Sequence, residues 1–330
     1  MNVLVTGGAG YIGSFVSHRL IEQGHFVVVY DNFSTGFKES LHPKCKFVLG
    51  DVRDRELPAR VMKDNKIDVL MHFAAKLNAP ESVDNPLDYF DNNFLGTLNL
   101  LQCCERAGVS KFIFSSTAAV YGDTRKSLVV ETDNCLPINP YGESKYFSEK
   151  LLLDQGKARS LSFVSLRYFN VAGASSDLKL GQRTKNSFNL IKNVCEVALG
   201  KGSVLEVFGN DYPTPDGSGV RDYIHVEDLA QAHILAAEKI VQAMGEPIQE
   251  VYNCGYGKGY SVLEIIKTIE SIAMKNIPYE IKKRRSGDPA SVVADVSKIS
   301  KELGWRPQHQ DIEEICGSTF KWFQQLSFKL

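Results

Sequence analysis

The sequence predicts an α/β protein with a doubly wound parallel sheet, followed by a smaller α/β domain. Short apolar runs of strand length alternate with helical patterns through the first half of the 330-residue chain, which is typical of parallel βαβ units. A glycine-rich turn joins the first apolar run, residues 3–5, to the first helical pattern. The alternation breaks after Gly173. We therefore predict one domain at residues 1–172 and a second at 173–330, with part of about 222–255 packing back on the first.

Composition and charge exclude several classes of protein. A hydrophobic content of 43% and a charged content of 23% are ordinary globular values, and a net charge of −1 creates no field that favours nucleic acid or an anionic membrane. Seven irregularly spaced cysteines without a C-x-x-C motif predict reduced thiols in a cytoplasmic protein, with no metal site. The chain enters a strand at Asn2 and lacks a long apolar run, so neither a secretory signal nor a membrane anchor is expected.

The glycine-rich turn predicts a site for a diphosphate. Gly7, Gly10 and Gly13 form the pattern G-x-x-G-x-x-G between a strand and a helix. Glycines allow the backbone to approach the diphosphate closely, and the helix N-terminus offers free N–H groups and a partial positive charge. We count Tyr11 and Ile12, in the first turn of that helix, among the expected cofactor contacts.

The second strand ends on an acidic residue suited to a ribose. The apolar run at residues 26–30 leads into Asp31, which lies 18 residues after Gly13, close to the usual position of a ribose 2′-OH partner. No arginine occurs between Asn32 and Phe37, which favours NAD over NADP. The alternative interpretation of Asp31 is a plain turn residue at a strand end.

The third and fourth strands supply further candidates. Residues 47–49 end just before Asp51, which either accepts the adenine amino group or caps a helix. Residues 69–73 end at Ala74 and Ala75, small residues that would let a cofactor lie against the strand end.

A long helical pattern that opens at Pro86 contains two asparagines, Asn92 and Asn93. Asparagine is a poor helix former. Either one of the two holds a loop on the cofactor side, or both are structurally idle.

Hydroxyl groups and a Tyr-x-x-x-Lys motif predict the reacting centre. Residues 111–117 form a fifth predicted strand that ends in Ser115, Ser116 and Thr117, at the sheet edge where ligands bind. Tyr141 and Lys145 are four residues apart on one face of a helix that follows Pro140. The ammonium is expected to lower the tyrosine pKa below about 10 and let it act as a general base. Thr117 is expected to hydrogen-bond a substrate hydroxyl and share its proton with the tyrosine.

Each of these features has a plainer interpretation when taken alone. The Tyr-x-x-x-Lys motif also describes a half-buried tyrosine beside a solvated lysine, and a threonine at a strand end often bonds to backbone. The combination of motifs is what favours a reaction site.

Taken together, the motifs resemble those of the extended short-chain dehydrogenase/reductase family, and within it the UDP-sugar 4-epimerases. The likeness is carried by the glycine turn, by SSTAAVYG at residues 115–122, YGESK at 141–145, LRYFN at 166–170 and VRDYIHV at 220–226. It runs along nearly the whole chain and implies a Rossmann-like fold.

The resemblance implies NAD as the cofactor, with Tyr141 as the base and Lys145 as its pKa partner and a ribose ligand. In several relatives of this kind a lysine lies two residues after the position of Ala75, where this chain has Leu77, with Lys76 one residue earlier. That lysine contact is therefore not carried over. The implied NAD contacts are Gly7, Gly10, Tyr11, Ile12, Gly13, Asp31, Asn32, Asp51, Val52, Phe73, Ala74, Ala75, Asn92, Ser115, Tyr141, Lys145 and Tyr168.

The second half supplies residues for a UDP-sugar. Asn170 follows a sixth predicted strand at residues 162–167, and a predicted helix at 186–199 carries Asn189 and Leu190 near its start. Arg221 and Arg285 are expected to bind the diphosphate, because forked guanidinium groups suit phosphate oxygens. The resemblance implies that Asp288 contacts a ribose. Phe208 is either a uracil contact or ordinary core. The expected substrate contacts are Thr117, Tyr141, Asn170, Asn189, Leu190, Phe208, Arg221, Arg285 and Asp288.

The implied reaction is reversible C4 epimerisation of a UDP-hexose, UDP-glucose or UDP-galactose, through a transient 4-keto sugar with NAD retained. A 4,6-dehydratase needs an acid/base carboxylate pair after Thr117, and this chain has Ala118 and Ala119 there. A 4-epimerase of a pentose or uronic UDP-sugar and a non-catalytic NAD-sensing module remain as alternatives.

Two further expectations follow from the resemblance. Some members carry a tyrosine at the position of Val292, where it crowds the sugar C2 substituent, so UDP-N-acetylhexosamines are possible substrates. A homodimer is also expected, formed by helices at residues 86–107 and 141–157 of each subunit.

Overall fold

A parallel sheet of seven strands organises the molecule. The structure is a computed structural model that describes residues 1–124, 126, 128–183, 189–202, 204–285 and 288–327. The described strands are β1 (Asn2–Thr6), β2 (Phe26–Asp31), β3 (Lys46–Leu49), β4 (Val69–His72), β5 (Lys111–Ser115), β6 (Ser162–Tyr168), β7 (Asn170–Ala172), β8 (Leu205–Phe208), β9 (Val220–His225), β10 (Gln249–Cys254), β11 (Gly259–Ser261), β12 (Tyr279–Lys282) and β13 (Ser291–Val292).

Helices connect these strands. The described α-helices are α1 (Tyr11–Glu22), α2 (Leu57–Asp64), α3 (Ala79–Asp84), α4 (Pro86–Tyr89), α5 (Gly96–Ala107), α6 (Pro140–Arg159), α7 (Leu190–Ala198), α8 (Val226–Gln242), α9 (Val262–Ala273), α10 (Ser297–Glu302) and α11 (Ile312–Ser327). Short 3₁₀ helices span Lys38–Ser40 and Ala118–Tyr121, and a π-helical segment spans Phe90–Leu95. Across the described ranges, no helix combines the length and apolar character that crossing a membrane requires.

The large sheet has the strand order β10-β6-β5-β4-β1-β2-β3, with every neighbouring pair parallel. Its residues alternate between two cores because successive strand side chains point to opposite faces. On β1, Val3 and Val5 pack with residues of α1 and α8, whereas Leu4 packs with residues of α2, α5 and α6. Both faces are therefore covered, as parallel sheets require, and the predicted doubly wound fold is confirmed.

Smaller sheets and two further hydrophobic cores lie outside the large sheet. Strand β9 lies between β11 and β13 and also pairs with β7, while β8 pairs with β12. Helices α7, α9 and α11 pack around a core that includes Ile191, Ile265 and Trp322. Helix α8 packs on α1, and β10 extends the large sheet beside β6. The limits of the two domains stay a prediction.

Several predicted elements have different bounds in the structure. The fifth strand ends at Ser115, because the following residues turn into a 3₁₀ helix capped by the Thr117 side chain. The sixth strand continues to Tyr168, where it pairs with β10. The helix predicted from Pro86 is preceded by α3 and is interrupted by the π-helical segment.

The helix predicted at residues 186–199 also differs. It is observed as α7, and its cap is Asn189, whose side chain accepts from the Lys192 N–H at 3.2 Å. An asparagine cap satisfies one of the free N–H groups of the first turn. Residues 186–188 of the prediction lie outside the described residues.

Candidate active site

The glycine-rich turn is built as a backbone cradle. Gly7 has a φ of +72°, and a Cβ there would lie 2.5 Å from the Ala74 nitrogen. A Cβ on Gly13 would lie 2.4 Å from the Gly7 oxygen. Gly10 occupies the N-cap of α1 without a side-chain cap, so first-turn N–H groups stay available to an anion. The turn fits a cofactor diphosphate.

Tyr11 and Ile12 begin α1 immediately after this cradle. The Tyr11 hydroxyl donates to the Gly173 carbonyl at 2.6 Å, which ties the turn to the start of the second predicted domain. Ile12 packs against the core on the α1 face of the sheet. Their main-chain N–H groups, rather than their side chains, are therefore the atoms suited to a diphosphate.

Asp31 closes the cradle at the end of β2. Its side chain is buried, with Oδ2 accepting from the Ala9 N–H at 3.0 Å and Oδ1 accepting from the Phe33 N–H at 2.8 Å. Burial raises the pKa of the carboxyl, and these backbone bonds oppose the shift. Each oxygen retains acceptor capacity, so the carboxylate is fixed in place and suited to a ribose hydroxyl.

The expected adenine end is held by an arginine that sequence reasoning did not single out. Arg53 donates to both oxygens of Asp51, at 2.9 and 2.8 Å, and to Asp91 at 2.8 Å. The Asn32 side chain donates to Asp51 at 2.9 Å. The arginine lowers the pKa of the Asp51 carboxyl, so this group is an anionic acceptor. Val52 beside it is buried in the core on the α2 face.

The loop after β4 is fixed by Asn93. Its side chain accepts from the Lys76 N–H at 2.8 Å, donates to the Lys76 carbonyl at 3.0 Å, and donates to Ser144 on α6 at 3.1 Å. Of the two asparagines in the π-helical segment, this one holds the loop, while Asn92 donates to Asn93 at 2.9 Å. The Lys76 ammonium pairs with Asp88 at 3.0 Å.

Leu77 is 57% exposed. The Lys76 ammonium pairs with Asp88, and the family's lysine contact at this place stays outside the expected set. The aromatic ring of Phe73 and the small residues Ala74 and Ala75 precede this loop. The Phe73 ring packs 4.7 Å from the ring of His233 on α8.

The structure brings the three predicted catalytic residues together at the ends of β5 and α6. The Thr117 hydroxyl accepts from the Ala119 N–H at 3.2 Å and lies close enough to the Tyr141 phenol to affect its pKa. The Lys145 ammonium donates to the Ser115 carbonyl at 2.8 Å and lies 4.8 Å from the Phe114 ring centroid. All three side chains are buried.

The predicted lowering of the tyrosine pKa is wrong for the protein without a cofactor. Burial raises the pKa of Tyr141 above its usual value, and the neighbouring Thr117 hydroxyl opposes this only in part. The ammonium of Lys145 is turned toward the Ser115 carbonyl instead, and burial lowers its own pKa to about 7. The four-residue spacing correctly placed Tyr141 and Lys145 on one helical face, but it could not indicate how deeply the phenol is buried.

Two more tyrosines surround the phenol. The Tyr168 hydroxyl and the Ser115 hydroxyl lie 3.3 Å apart at the ends of β6 and β5. Tyr89, which was not predicted, is fully buried and meets Tyr141 edge to face at 6.5 Å between ring centroids. Its position one turn before Asn93 on the same helical segment was the available signal.

On the substrate side, the predicted residues form a connected group. Asn170 pairs with Tyr223 in the register of β7 and β9, and the Asn189 amide donates to the Val171 carbonyl at 2.6 Å. Leu190 follows at the start of α7 and packs against the third core. Strand β7 thus links the end of β6, with its cofactor-side tyrosine, to the cap of α7.

The predicted phosphate and ribose ligands contact one another. Arg221 forms an ion pair with Asp288 and donates to the Val220 carbonyl at 2.7 Å. The guanidinium of Arg285 lies 3.8 Å from the centroid of the Phe208 ring. Burial lowers the pKa of Arg285, which Asp288 opposes. Ser286 and Gly287, between these two residues, lie outside the described residues.

Comparisons with known proteins bear on this site. Residues 3–255 match the NAD dependent epimerase/dehydratase family. The UDP-glucose 4-epimerase of Azospirillum brasilense is 46% identical over 324 residues, 98% of this chain and 92% of that protein. A crystal structure of UDP-glucose-4-epimerase from Stenotrophomonas maltophila, with bound NAD and formylated UDP-arabinopyranose, has a TM-score of 0.95 at 40% identity and covers all of both chains. The Bifidobacterium longum UDP-glucose 4-epimerase, in complex with NAD+ and UDP, has a TM-score of 0.93 at 40% identity with the same coverage.

Proposed function

Because the chain belongs to the NAD-dependent epimerase/dehydratase family, we propose that it catalyses the NAD-dependent, reversible C4 epimerisation of a UDP-hexose. The substrates are UDP-glucose and UDP-galactose, and the proposal draws on relatives of that activity at 41–46% identity over nearly the whole chain. The observation that carries it is the buried cluster of Thr117, Tyr141 and Lys145, in which the lysine follows the tyrosine by one turn of α6. This likeness favours neither the pentose or uronic acid alternatives nor an NAD-sensing module.

Tyr141 acts as the base on the sugar O4 hydroxyl, and Thr117 hydrogen-bonds the same oxygen and shares the proton. Bound NAD supplies a reversible acceptor for the hydrogen on C4. When the 4-keto sugar has turned over within the site, the opposite face of C4 receives the returning hydride, and Tyr141 gives the proton back to O4. Because burial raises the pKa of the phenol, the base function needs a positive charge nearby. The Lys145 ammonium carries one below a pH of about 7.

The residues after Thr117 argue against a dehydratase. Expelling the C6 hydroxyl needs a carboxylate acid/base pair beside the reacting carbon. Ala118 and Ala119 occupy those positions in the 3₁₀ helix, and neither has a titratable group. Proton transfer at O4 is therefore the chemistry that the described side chains at this edge support.

Anchoring of the substrate is assigned to groups remote from the reacting carbon. We propose Arg221 and Arg285 for the diphosphate, Asp288 for a ribose, Phe208 for uracil, and Asn170, Asn189 and Leu190 for the nucleotide and sugar. Remote binding energy holds a reactive centre in place while the sugar ring turns. The same proposal keeps the NAD contacts as predicted.

The direct test is incubation of the purified protein with UDP-galactose, without added NAD, followed by chromatographic separation of UDP-glucose from UDP-galactose. Conversion of UDP-galactose to UDP-glucose, and of UDP-glucose to UDP-galactose in the reverse incubation, to the same final ratio supports the proposal. Absence of conversion, even after NAD is added, would contradict it.

Substrate breadth is a separate proposal. Val292 is 7% exposed and pairs with Arg221 across β13 and β9. A valine leaves more room than a tyrosine beside the sugar C2 substituent, so we expect UDP-N-acetylglucosamine to be epimerised as well. Activity on UDP-glucose together with inactivity on UDP-N-acetylglucosamine would refute this.

We also propose a homodimer and a cytoplasmic location. Leu87 is 82% exposed, and Leu95 and Phe147 are 42% and 45% exposed, on the helices expected to form the contact. Burying such apolar groups favours association. Light scattering that finds only a monomer would contradict the dimer, and secretion of the protein by its own cells would contradict the location.

A further inference from the structure

A buried ion pair lies beneath the catalytic side chains. Glu149 and Arg167 each keep only 6% of their side-chain surface exposed. Arg167 Nη2 lies 2.6 Å from Glu149 Oε2, and its Nε lies 3.1 and 3.2 Å from the two carboxylate oxygens. Apolar residues can often replace such a pair without loss of stability. Stability is therefore a weak reason for placing these charges here.

The carboxylate also holds the segment that carries two of the catalytic contacts. The Ser116 hydroxyl donates to Glu149 Oε1, and this serine is fully buried. On one side of it the Ser115 carbonyl accepts from Lys145 at 2.8 Å. On the other side lies Thr117, whose hydroxyl is near the Tyr141 phenol. One carboxylate therefore fixes the middle residue of the segment at 115–117.

Helix geometry places Glu149 in line with the two catalytic residues of α6. It follows Lys145 by four residues and Tyr141 by eight, a spacing that keeps all three on one face. Its partner Arg167 is on β6, one residue before Tyr168. The ion pair thus joins α6, β6 and the end of β5, the three elements that meet at the reacting centre.

The arginine is itself anchored on its far side. Its Nη1 donates to the Tyr121 hydroxyl at 3.0 Å and to the Glu131 carbonyl at 3.2 Å. Tyr121 in turn donates to Asn253 on β10 at 2.7 Å. With both ends of the guanidinium bonded, the carboxylate has one orientation, and Ser116 is held in one position.

The charges around Lys145 give Glu149 a second effect. Burial lowers the pKa of Lys145, and the Glu149 carboxylate opposes that shift. Burial, and to a smaller extent the Lys145 ammonium, lowers the pKa of His72 on β4. Among the described residues, the Glu149 carboxylate also acts on Arg167 and Cys135. Because the pKa of His72 is lowered, the ring is neutral at neutral pH and adds no charge near the lysine.

We propose that Glu149 is a positioning residue for the epimerisation, fixing Ser116 so that Thr117 and Lys145 are correctly placed around Tyr141. The inference rests on the proposed function. Glu149 itself does not reach the substrate, because its oxygens are occupied by Ser116 and Arg167.

The test compares wild-type protein with Glu149→Gln, Ser116→Ala and Asp228→Asn, using UDP-galactose as substrate. Asp228 is a matched control, since it is 4% exposed and accepts from Tyr256 at 2.5 Å and from the Gln308 N–H at 2.8 Å. Glu149→Gln should lower kcat roughly 10- to 100-fold, with KM within about twofold. Its activity should decline at a lower pH than in the wild type, because the pKa of Lys145 falls further without the acidic charge.

Ser116→Ala leaves the ion pair intact and removes only the bond to the segment. It should lower kcat less than Glu149→Gln does, without loss of Tm. If Glu149→Gln does not fold, the kcat of Ser116→Ala alone tests the positioning role. Asp228→Asn should keep kcat and the pH profile while losing Tm. Unchanged kcat and pH profile in Glu149→Gln, unchanged kcat in Ser116→Ala, or equal changes in Asp228→Asn would overturn the inference. A wild-type protein that converts no UDP-sugar would instead overturn the proposed function, and the inference with it.

Discussion

The cofactor side and the substrate side of the site are built differently. On the cofactor side, the turn at Gly7 to Gly13 is fixed by backbone contacts, and Asp31 is held by two N–H groups. On the substrate side, the functional groups are charged side chains that contact one another, as Arg221 does with Asp288 and Arg285 with the Phe208 ring.

This difference indicates how the two ligands are held. A backbone cradle needs no rearrangement to receive a diphosphate, so the ordering cost on binding is small. Paired arginine and aspartate side chains must exchange partners when a UDP-sugar enters. We therefore expect the cofactor to stay through many turnovers, whereas the UDP-sugar exchanges in each one.

The largest expected effect comes from removing the base, Tyr141, while leaving the glycine-rich turn on the cofactor side intact. Tyr141→Phe should lower kcat roughly 10²- to 10⁴-fold, the usual contribution of general acid–base catalysis, and leave the amount of co-purified NAD unchanged. Tyr146→Phe, on the same helix, is the control and should keep wild-type activity. The measurements are kcat with UDP-galactose and NAD released on denaturation. Full activity in Tyr141→Phe would reject the assignment of the base.

A second prediction separates the two arginines at the end of the charged run. Arg285→Ala should raise KM for UDP-galactose roughly 10- to 100-fold, because a charge-assisted hydrogen bond contributes about 1.5–3 kcal/mol. Arg284 pairs with Asp211 and lies over the Tyr212 ring at 4.1 Å, so Arg284→Ala should leave KM near the wild-type value. Equal effects of the two substitutions would contradict the assignment of Arg285 to the diphosphate.

The smallest expected effect concerns the buried ammonium of Lys145, which donates to the Ser115 carbonyl. The pKa of Lys145 is about 7 in the folded protein without NAD, against about 10.4 when unfolded. Between these values the unfolded chain binds more protons, so stability rises with pH.

Removing the amine should remove that dependence. Lys145→Met should flatten the change of Tm between pH 7 and 10 in NAD-free protein, by a few degrees. Calorimetry of both proteins across this range is the measurement, and parallel curves would contradict the lowered pKa.

Much of the cofactor half could be predicted because its signals are local. Gly7, Gly10, Gly13 and Asp31 are close in sequence, and the backbone geometry they require is encoded by residue type. The doubly wound fold followed from the same strand and helix periodicity. The loop contact of Asn93 was one of two open options, since periodicity does not report which asparagine faces the loop.

Long-range contacts account for what could not be predicted. The direction of the shift in the Tyr141 pKa depends on burial by elements far away in the sequence. The Tyr-x-x-x-Lys spacing indicated only how far the tyrosine is from Lys145. The ion pair of Glu149 with Arg167 and the pairing of Arg221 with Asp288 join residues 18 and 67 positions apart. Single-sequence patterns do not report such pairings.

The most direct test of the account uses UDP-galactose carrying deuterium at C4, incubated with the purified protein and no added NAD. If the hydrogen on C4 leaves and returns within a site that retains its cofactor, the UDP-glucose formed will keep the deuterium at C4 and the solvent will gain none. Loss of the deuterium to solvent during conversion would contradict the account, because it would show removal of the C4 hydrogen as a proton by an exchanging base.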